Sequence, residues 1–217
     1  MIETSINIGG FVIYEPTTVF TDVVISILCF VFVKNLKTDT PAVKNWKLFF
    51  LFFGLGTFVG ACSHAFFNLH AGIAYKSLWL PMQVLNILSV YFAQQGTYHT
   101  LLINSSKAKA WLLSYRIQVI VFAIAVFIFH NFLVVVIDNA LGLIPIMVLH
   151  YMNRNKNEGY TVLANGIVIS FLTVIVHGTK LSLHAYFNSN DIAHILIMFS
   201  LYYMYSGVRQ FSTHITQ

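Results

Sequence analysis

The feature that most constrains this chain is the recurrence of long apolar runs separated by short polar breaks. About 20 apolar residues, rising 1.5 Å each as a helix, cross the hydrocarbon of a bilayer. Seven runs of roughly that kind are present. The first extends from about Thr18 to Val33 and is opened by Pro16, in the manner of a helix start. The second extends from about Trp46 to Leu69 and the third from about Leu78 to Leu102. After a polar break at Asn104–Lys109, the fourth covers about Ile117 to Phe132. The fifth follows at once, from about Leu133 to Met152, with only His130 and Asn131 to mark the division. The sixth covers about Tyr160 to Leu183 and the seventh about Asp191 to Phe211. The expected fold is all-α: a seven-transmembrane-helix bundle forming a single integral membrane domain over residues 1–217.

Composition and charge test this reading. Of 217 residues, 58% are hydrophobic and only 9% charged, whereas soluble domains are about 25% charged. The net charge of +5 need not mean nucleic acid, because lysines in cytoplasmic loops produce the same excess. With the N-terminus outside, Lys34, Lys37, Lys44 and Lys47 fall in the first cytoplasmic loop, and Lys107, Lys109 and Arg116 in the second. Arg154 and Lys156 fall in the third, and Arg209 near a cytoplasmic C-terminus. Ten of the twelve basic residues then lie inside, leaving Lys76 and Lys180 outside, which is the bias the positive-inside rule requires. Cys29 and Cys62 sit within apolar runs and do not form a disulfide framework. Met1–Tyr14 carry no lysine or arginine, so a cleavable signal peptide with a basic n-region is not expected.

Ionisable side chains within a bilayer are costly, and so are functional candidates by default. Glu15 and Asp22 lie at the outer end of the first helix, seven residues apart and hence on one face. His64 lies in the outer third of the second helix, and His130 ends the fourth. Asp138 lies in the outer half of the fifth helix and His177 in the outer part of the sixth, while Asn190, Asp191 and His194 open the seventh. The inner set is thinner: Gln94, Gln95, His99, His150 and Asn165. The plainer reading of any single outer histidine is an amphipathic ring at the headgroup level; His70 and His184 are read as loop residues of that kind. His64 is different. Gly56, Gly60 and His64 share one stripe, and small residues at that spacing let a neighbouring helix approach, so His64 should face the bundle. Asp191 and His194 at i, i+3, or Asn190 and His194 at i, i+4, are placed to share a ligand. Imidazole with carboxylate is the donor chemistry of zinc, and bound zinc supplies hydroxide for hydrolysis near neutral pH.

A seven-helix bundle with Glu15-Pro16 before its first helix, a histidine (His64) in the second and a histidine (His194) opening the seventh resembles the CREST superfamily. That group includes alkaline ceramidases and the progestin/adipoQ receptors. The resemblance implies a zinc-dependent amidase acting on membrane lipids, and, for Glu15-Pro16, a calcium-binding acidic segment. His64 matches the helix-two histidine, but the family's serine four residues earlier is Gly60 here. His194 matches the second helix-seven histidine, with Asn190 in the place of the first. No aspartate occurs between Asp39 and Asp138 to serve as the helix-three acid. The stretch Asn190–His194, with its tyrosine-rich continuation, also looks like uncharacterised bacterial membrane proteins, which implies a bacterial inner (plasma) membrane location.

Two functions follow as expectations. One is a zinc-dependent hydrolase of a lipid amide or ester. Its metal set is His64 and His194 with Asp191 or His177; its general base is Asp22 or Asp138; calcium would lie near Glu15. The other is a non-catalytic heptahelical lipid-binding or sensor protein that keeps only the scaffold. A transporter should show mid-bilayer polar groups and an internal repeat, which the sequence does not display by eye. A retinal protein lacks its helix-seven lysine. Membrane lipid is the expected partner, with no nucleic acid and no soluble protein indicated.

Overall fold

The computed structural model describes residues 4–37, 40–66 and 73–214. Among these residues the chain forms a short hairpin followed by seven α-helices. The hairpin consists of β1 (Ser5–Ile8) and β2 (Phe11–Tyr14), antiparallel, with Ser5 opposite Tyr14 and Ile8 opposite Phe11. Gly9 (φ 60°) and Gly10 (φ 92°) make the two-residue turn, where only residues tolerant of positive φ match the twist of the flanking strands. The Asn7 side chain accepts from the Gly10 N–H at 3.0 Å. A Gly-Gly pair between two short runs is the sequence signal for this element, and it lies outside the pattern of long apolar runs.

The helices are α1 (Pro16–Asn35), α2 (Pro41–Ala65), α3 (Ile73–Thr97), α4 (Ala108–Phe129), α5 (Leu133–Met152), α6 (Glu158–Thr179) and α7 (Ser189–His214). Both α1 and α2 carry proline in their first turn, where its missing N–H and fixed φ are harmless. Thr40 caps α2 by accepting from Val43 N at 3.4 Å. The α4–α5 division falls at His130–Phe132: His130 takes a left-handed backbone (φ 50°) that ends α4, and the chain turns at once into α5. Beyond Thr97, α3 loosens into a π-helical turn, Tyr98–Leu102. The polar break at Asn104–Lys109 is shorter than the sequence suggests, since α4 already begins at Ala108. The expected end of the second helix, near Leu69, lies outside the described residues.

Five helices, α1, α2, α4, α5 and α6, are long and apolar enough to cross a membrane. At 25 and 26 residues, α3 and α7 have the length but carry more polar side chains, among them Gln83, Gln94 and Gln95 on α3 and Asp191 on α7, all buried. The outer surface is apolar to an extent no soluble monomer shows: on α4 alone, Ile117, Ile120, Val121, Ile124, Phe127 and Ile128 are all more than half exposed.

The main core is drawn mostly from α1, α2, α6 and α7, with Ala93 of α3 and Leu143 and Ile146 of α5 joining it. Phe32 stacks on Tyr205 with ring centroids 4.4 Å apart, and Phe50 meets Phe32 edge-on at 5.5 Å. Glycines bring the backbones together. A Cβ at Gly207 would stand 2.5 Å from Gly159 O and 2.6 Å from Leu163 N, and one at Gly166 would meet Met204 N at 2.8 Å. Close backbone approach through small residues is the usual means of helix association in lipid. Between α1 and α2 the same task falls to Gly54, whose Cβ would meet Cys29 Cβ at 2.8 Å.

Candidate functional site: a paired acid–histidine cluster

The start of α1, the end of α2 and the start of α7 converge. Glu15, the residue before α1, has a left-handed backbone (φ 43°, ψ 53°) and donates its N–H to Thr4 O at 2.9 Å. This sharp entry aims its side chain at α2, where Glu15 Oε2 pairs with His64 Nδ1 at 2.5 Å. Two turns into α1, Asp22 Oδ1 lies 3.5 Å from His194 Nε2 on α7. The other nitrogen of that ring, Nδ1, is 2.7 Å from Thr21 Oγ1. Both imidazoles are half-buried, with side chains 22% and 19% exposed, so the cluster is reachable from its own end of the bundle.

Gly60 explains how a carboxylate fits between α1 and α2. A Cβ there would stand 3.4 Å from Asp22 Oδ2 and 3.4 Å from Met82 Sδ of α3. The Gly56, Gly60, His64 stripe therefore faces the interior, as its spacing predicts: Gly56 meets Asn86 of α3, Gly60 meets Asp22, and His64 meets Glu15.

Asp191 is fully buried and both its oxygens are engaged. Thr18 Oγ1 donates to Oδ1 at 3.0 Å, and Asn188 N donates to Oδ2 at 2.7 Å. The second bond is one half of a capping box, an acid in the first turn reaching back to the N–H ahead of the helix; the first ties α7 to α1. Asp191 is thus a fastening of the site more than an open ligand. His177 stands exposed in the last turn of α6 and touches the cluster only through its field at His194.

Asp138 is elsewhere. It is buried between α3, α4 and α5 and pairs with Gln118 of α4, and no described residue of the cluster bonds to it. Of the seven residues expected to form the site, the fold brings Glu15, Asp22, His64, Asp191 and His194 together, sets His177 at the rim and separates Asp138. Thr18 and Thr21 complete the cluster. The signal for Thr18 is present in the sequence, since Thr18, Asp22 and Ser26 recur four residues apart on the buried face of α1; Thr21 lies beside that series.

Among the described residues, no group of three or more His, Cys, Asp or Glu side chains is drawn together closely enough to hold a metal ion. Two donors do stand at ligand spacing. Thr21 Oγ1 lies 3.0 Å from both Thr17 O and Thr18 O. If its single proton goes to one of these carbonyls, the hydroxyl must accept from His194 Nδ1–H. The lone pair on His194 Nε2 then faces the Asp22 carboxylate.

These features define a class: an α-helical, membrane-type bundle with paired acid–histidine side chains at one end. Residues 17–213 match the family described as Family of unknown function (DUF6962), and the chain belongs to that family. No curated protein and no solved structure matches it.

Proposed function

We propose that the chain is a seven-span membrane protein, a divergent relative of the CREST group, whose outer-end cluster carries out zinc-assisted hydrolysis of a lipid amide or ester. The carrying observation is the 3.5 Å separation of His194 Nε2 and Asp22 Oδ1. Two tetrahedral zinc ligands, each about 2.0–2.1 Å from the ion, stand about 3.4 Å apart. Two acceptors that face each other at this distance repel unless a proton or a cation lies between them.

In this reading His194 Nε2, Asp22 Oδ1 and His64 Nε2 are the donors. Glu15 holds His64 through Nδ1, which leaves Nε2 as the ring nitrogen available to a metal, the outer-shell arrangement common to metal-binding histidines. Glu15 is thereby assigned to His64 rather than to calcium. Thr21 sets the His194 ring in the same way. Asp22 Oδ2, beside Gly60, would take a proton from the attacking water and pass it to the leaving amine or alcohol, so Asp22 and not Asp138 would have the acid–base role. Bound zinc supplies a water acidic enough to ionise near pH 7. Seven spans with the N-terminus outside are supported by the ten basic residues at the opposite end of the helices from Glu15, and a bacterial inner membrane belongs to the same proposal.

Elemental analysis of protein purified with zinc is the test. About one zinc per chain, lost in His64→Ala and His194→Ala, together with fatty-acid release from an N-acyl or O-acyl lipid, is expected. A folded, zinc-supplemented protein with no metal and no lipid turnover would overturn the proposal. One observation favours the second reading, a non-catalytic lipid-binding or sensor protein: among the described residues, no three His, Cys, Asp or Glu side chains converge. Co-purifying lipid in a protein that takes up no zinc would decide for it.

A further inference from the structure

Asp138 has no part in the outer cluster, and its surroundings point to a different role. The residue is 1% exposed. Gln118 of α4 donates through Nε2 to Asp138 Oδ1 at 2.8 Å and to the Asp138 carbonyl at 3.1 Å. Gln118 Oε1 in turn accepts from Gln94 Nε2 of α3 at 2.8 Å. A polar chain therefore links three helices, and Gln118 sits at the midpoint of α4, one of the helices long and apolar enough to span.

The space for this chain is made by Gly142, one turn below Asp138 on α5. A Cβ there would stand 3.2 Å from both the Gln118 and the Gln94 amide nitrogens and would overlap Val90 of α3. The two glutamines are thus drawn against the α5 backbone at the level of the acid.

The other carboxylate oxygen, Oδ2, is buried and has no hydrogen-bond partner among the described residues. No lysine, arginine or histidine from the elements packed here, α3, α4 or α6, pairs with it among those residues. The neighbours are Gln94 and Val90 from α3 and Gln118 from α4. An ionised carboxylate sealed in this way, half-solvated by one amide and facing no positive charge, is strongly disfavoured. Intramembrane acids without an internal partner commonly lie on ion or proton pathways.

We propose that Asp138, with Gln118 and Gln94, forms a second site that binds a small monovalent cation, a proton or sodium, at Asp138 Oδ2 within the membrane. The glutamines fix the carboxylate: Gln118 fills Oδ1 and leaves Oδ2 as the position where the cation sits. On α4 and α5 this network is what hydropathy conceals, because the single polar residues Gln118 and Asp138 leave both helices apolar enough to span.

Infrared difference spectroscopy on the full chain in lipid tests the site, comparing wild type with Asp138→Asn, in sodium and in potassium buffers. A carboxylic-acid C=O band, shifted by deuterium and absent from D138N, supports the site with a proton as occupant. A carboxylate band that moves with sodium but not potassium, again lost in D138N, supports it with sodium. Carbodiimide, which reacts with a protonated carboxyl, gives the parallel reading: residue 138 is labelled in both buffers in the first case and protected by sodium in the second. Wild-type and D138N spectra that coincide in the acid region and do not respond to sodium would overturn the proposal. If D138N does not fold, Gln118→Leu serves instead, because losing the donor to Oδ1 should displace either band while leaving it present. An unmoved spectrum in that variant also overturns the site.

Discussion

The two ends of the bundle treat the same side chain in opposite ways. At the end where α1 begins, His64 and His194 each have a carboxylate beside them, 2.5 and 3.5 Å away, and each ring is partly accessible. At the other end His150 is fully buried. It lies among Trp46, Tyr160 and Phe211, with ring centroids 6.5, 5.2 and 6.2 Å away. Its one polar contact is Thr97 Oγ1 at 3.3 Å from Nε2, and Nδ1 has no partner among the described residues. An imidazole boxed in by aromatic rings behaves as a flat filler of the core; one set against an acid at an accessible rim is placed for chemistry. Position along the chain does not separate the two kinds, since all three are single histidines in apolar helices. The partner does.

The sharpest way to break this comparison is to remove the rings. His194→Ala or His64→Ala should abolish zinc uptake and reduce lipid turnover at least about 100-fold, measured with purified protein in lipid, because each deletes a proposed donor. Retention of both properties would make the outer histidines equivalent to His150. Glu15→Gln keeps a side chain of the same shape but removes the charge that orients His64. Zinc affinity should fall by about 10–100-fold, the usual cost of losing an outer-shell partner, as read by competition with a chelating dye.

Gly207→Ala provides a structural control at the His150 end, away from the acid–histidine cluster. With the new methyl driven against Gly159 O and Leu163 N, overpacking should cost about 1–3 kcal/mol. That loss would be seen in the thermal unfolding of detergent-solubilised protein, with metal binding intact in the fraction that folds. His150→Phe should have the smallest effect, below about 1.5 kcal/mol, because a ring of similar size replaces a buried imidazole whose polar atoms are poorly satisfied. A collapse of function in this variant would show that the inner histidine is more than packing.

Much of this architecture could be read from the chain before any coordinates. The bounds of α5 agree with the apolar run, and the weakly marked α4–α5 division is real, enforced by the left-handed backbone of His130. Glu15, Asp22, His64, Asp191 and His194 do gather at one end. Azimuth was harder to read. A helix such as α5 is apolar nearly all round, and with no contrast between faces the pattern does not tell which way Asp138 points. It turned toward Gln118 instead of toward Asp22. The partners within the cluster were equally hidden: pairing Glu15 with His64, and Asp22 with His194, depends on how α1 is rotated between α2 and α7. That rotation is set by backbone contacts at glycines such as Gly54 and by the buried Thr18–Asp191 bond.

One small feature bears on handling the protein. Among the described residues, three non-glycine positions hold a left-handed backbone: Glu15, His130 and Lys180. The last two simply terminate α4 and α6 and are exposed, so glycine in their place should raise thermal stability, by about 1 kcal/mol each, as strain at a helix terminus is relieved. Lys180→Gly would also strip a basic residue from the end that the proposed orientation places outside, and so reinforce that orientation. Glu15 does not offer the same gain, because its carboxylate is the one that holds His64. A thermostabilised variant for crystallisation can therefore be assembled from two of these three positions, and the third marks where stability yields to the site.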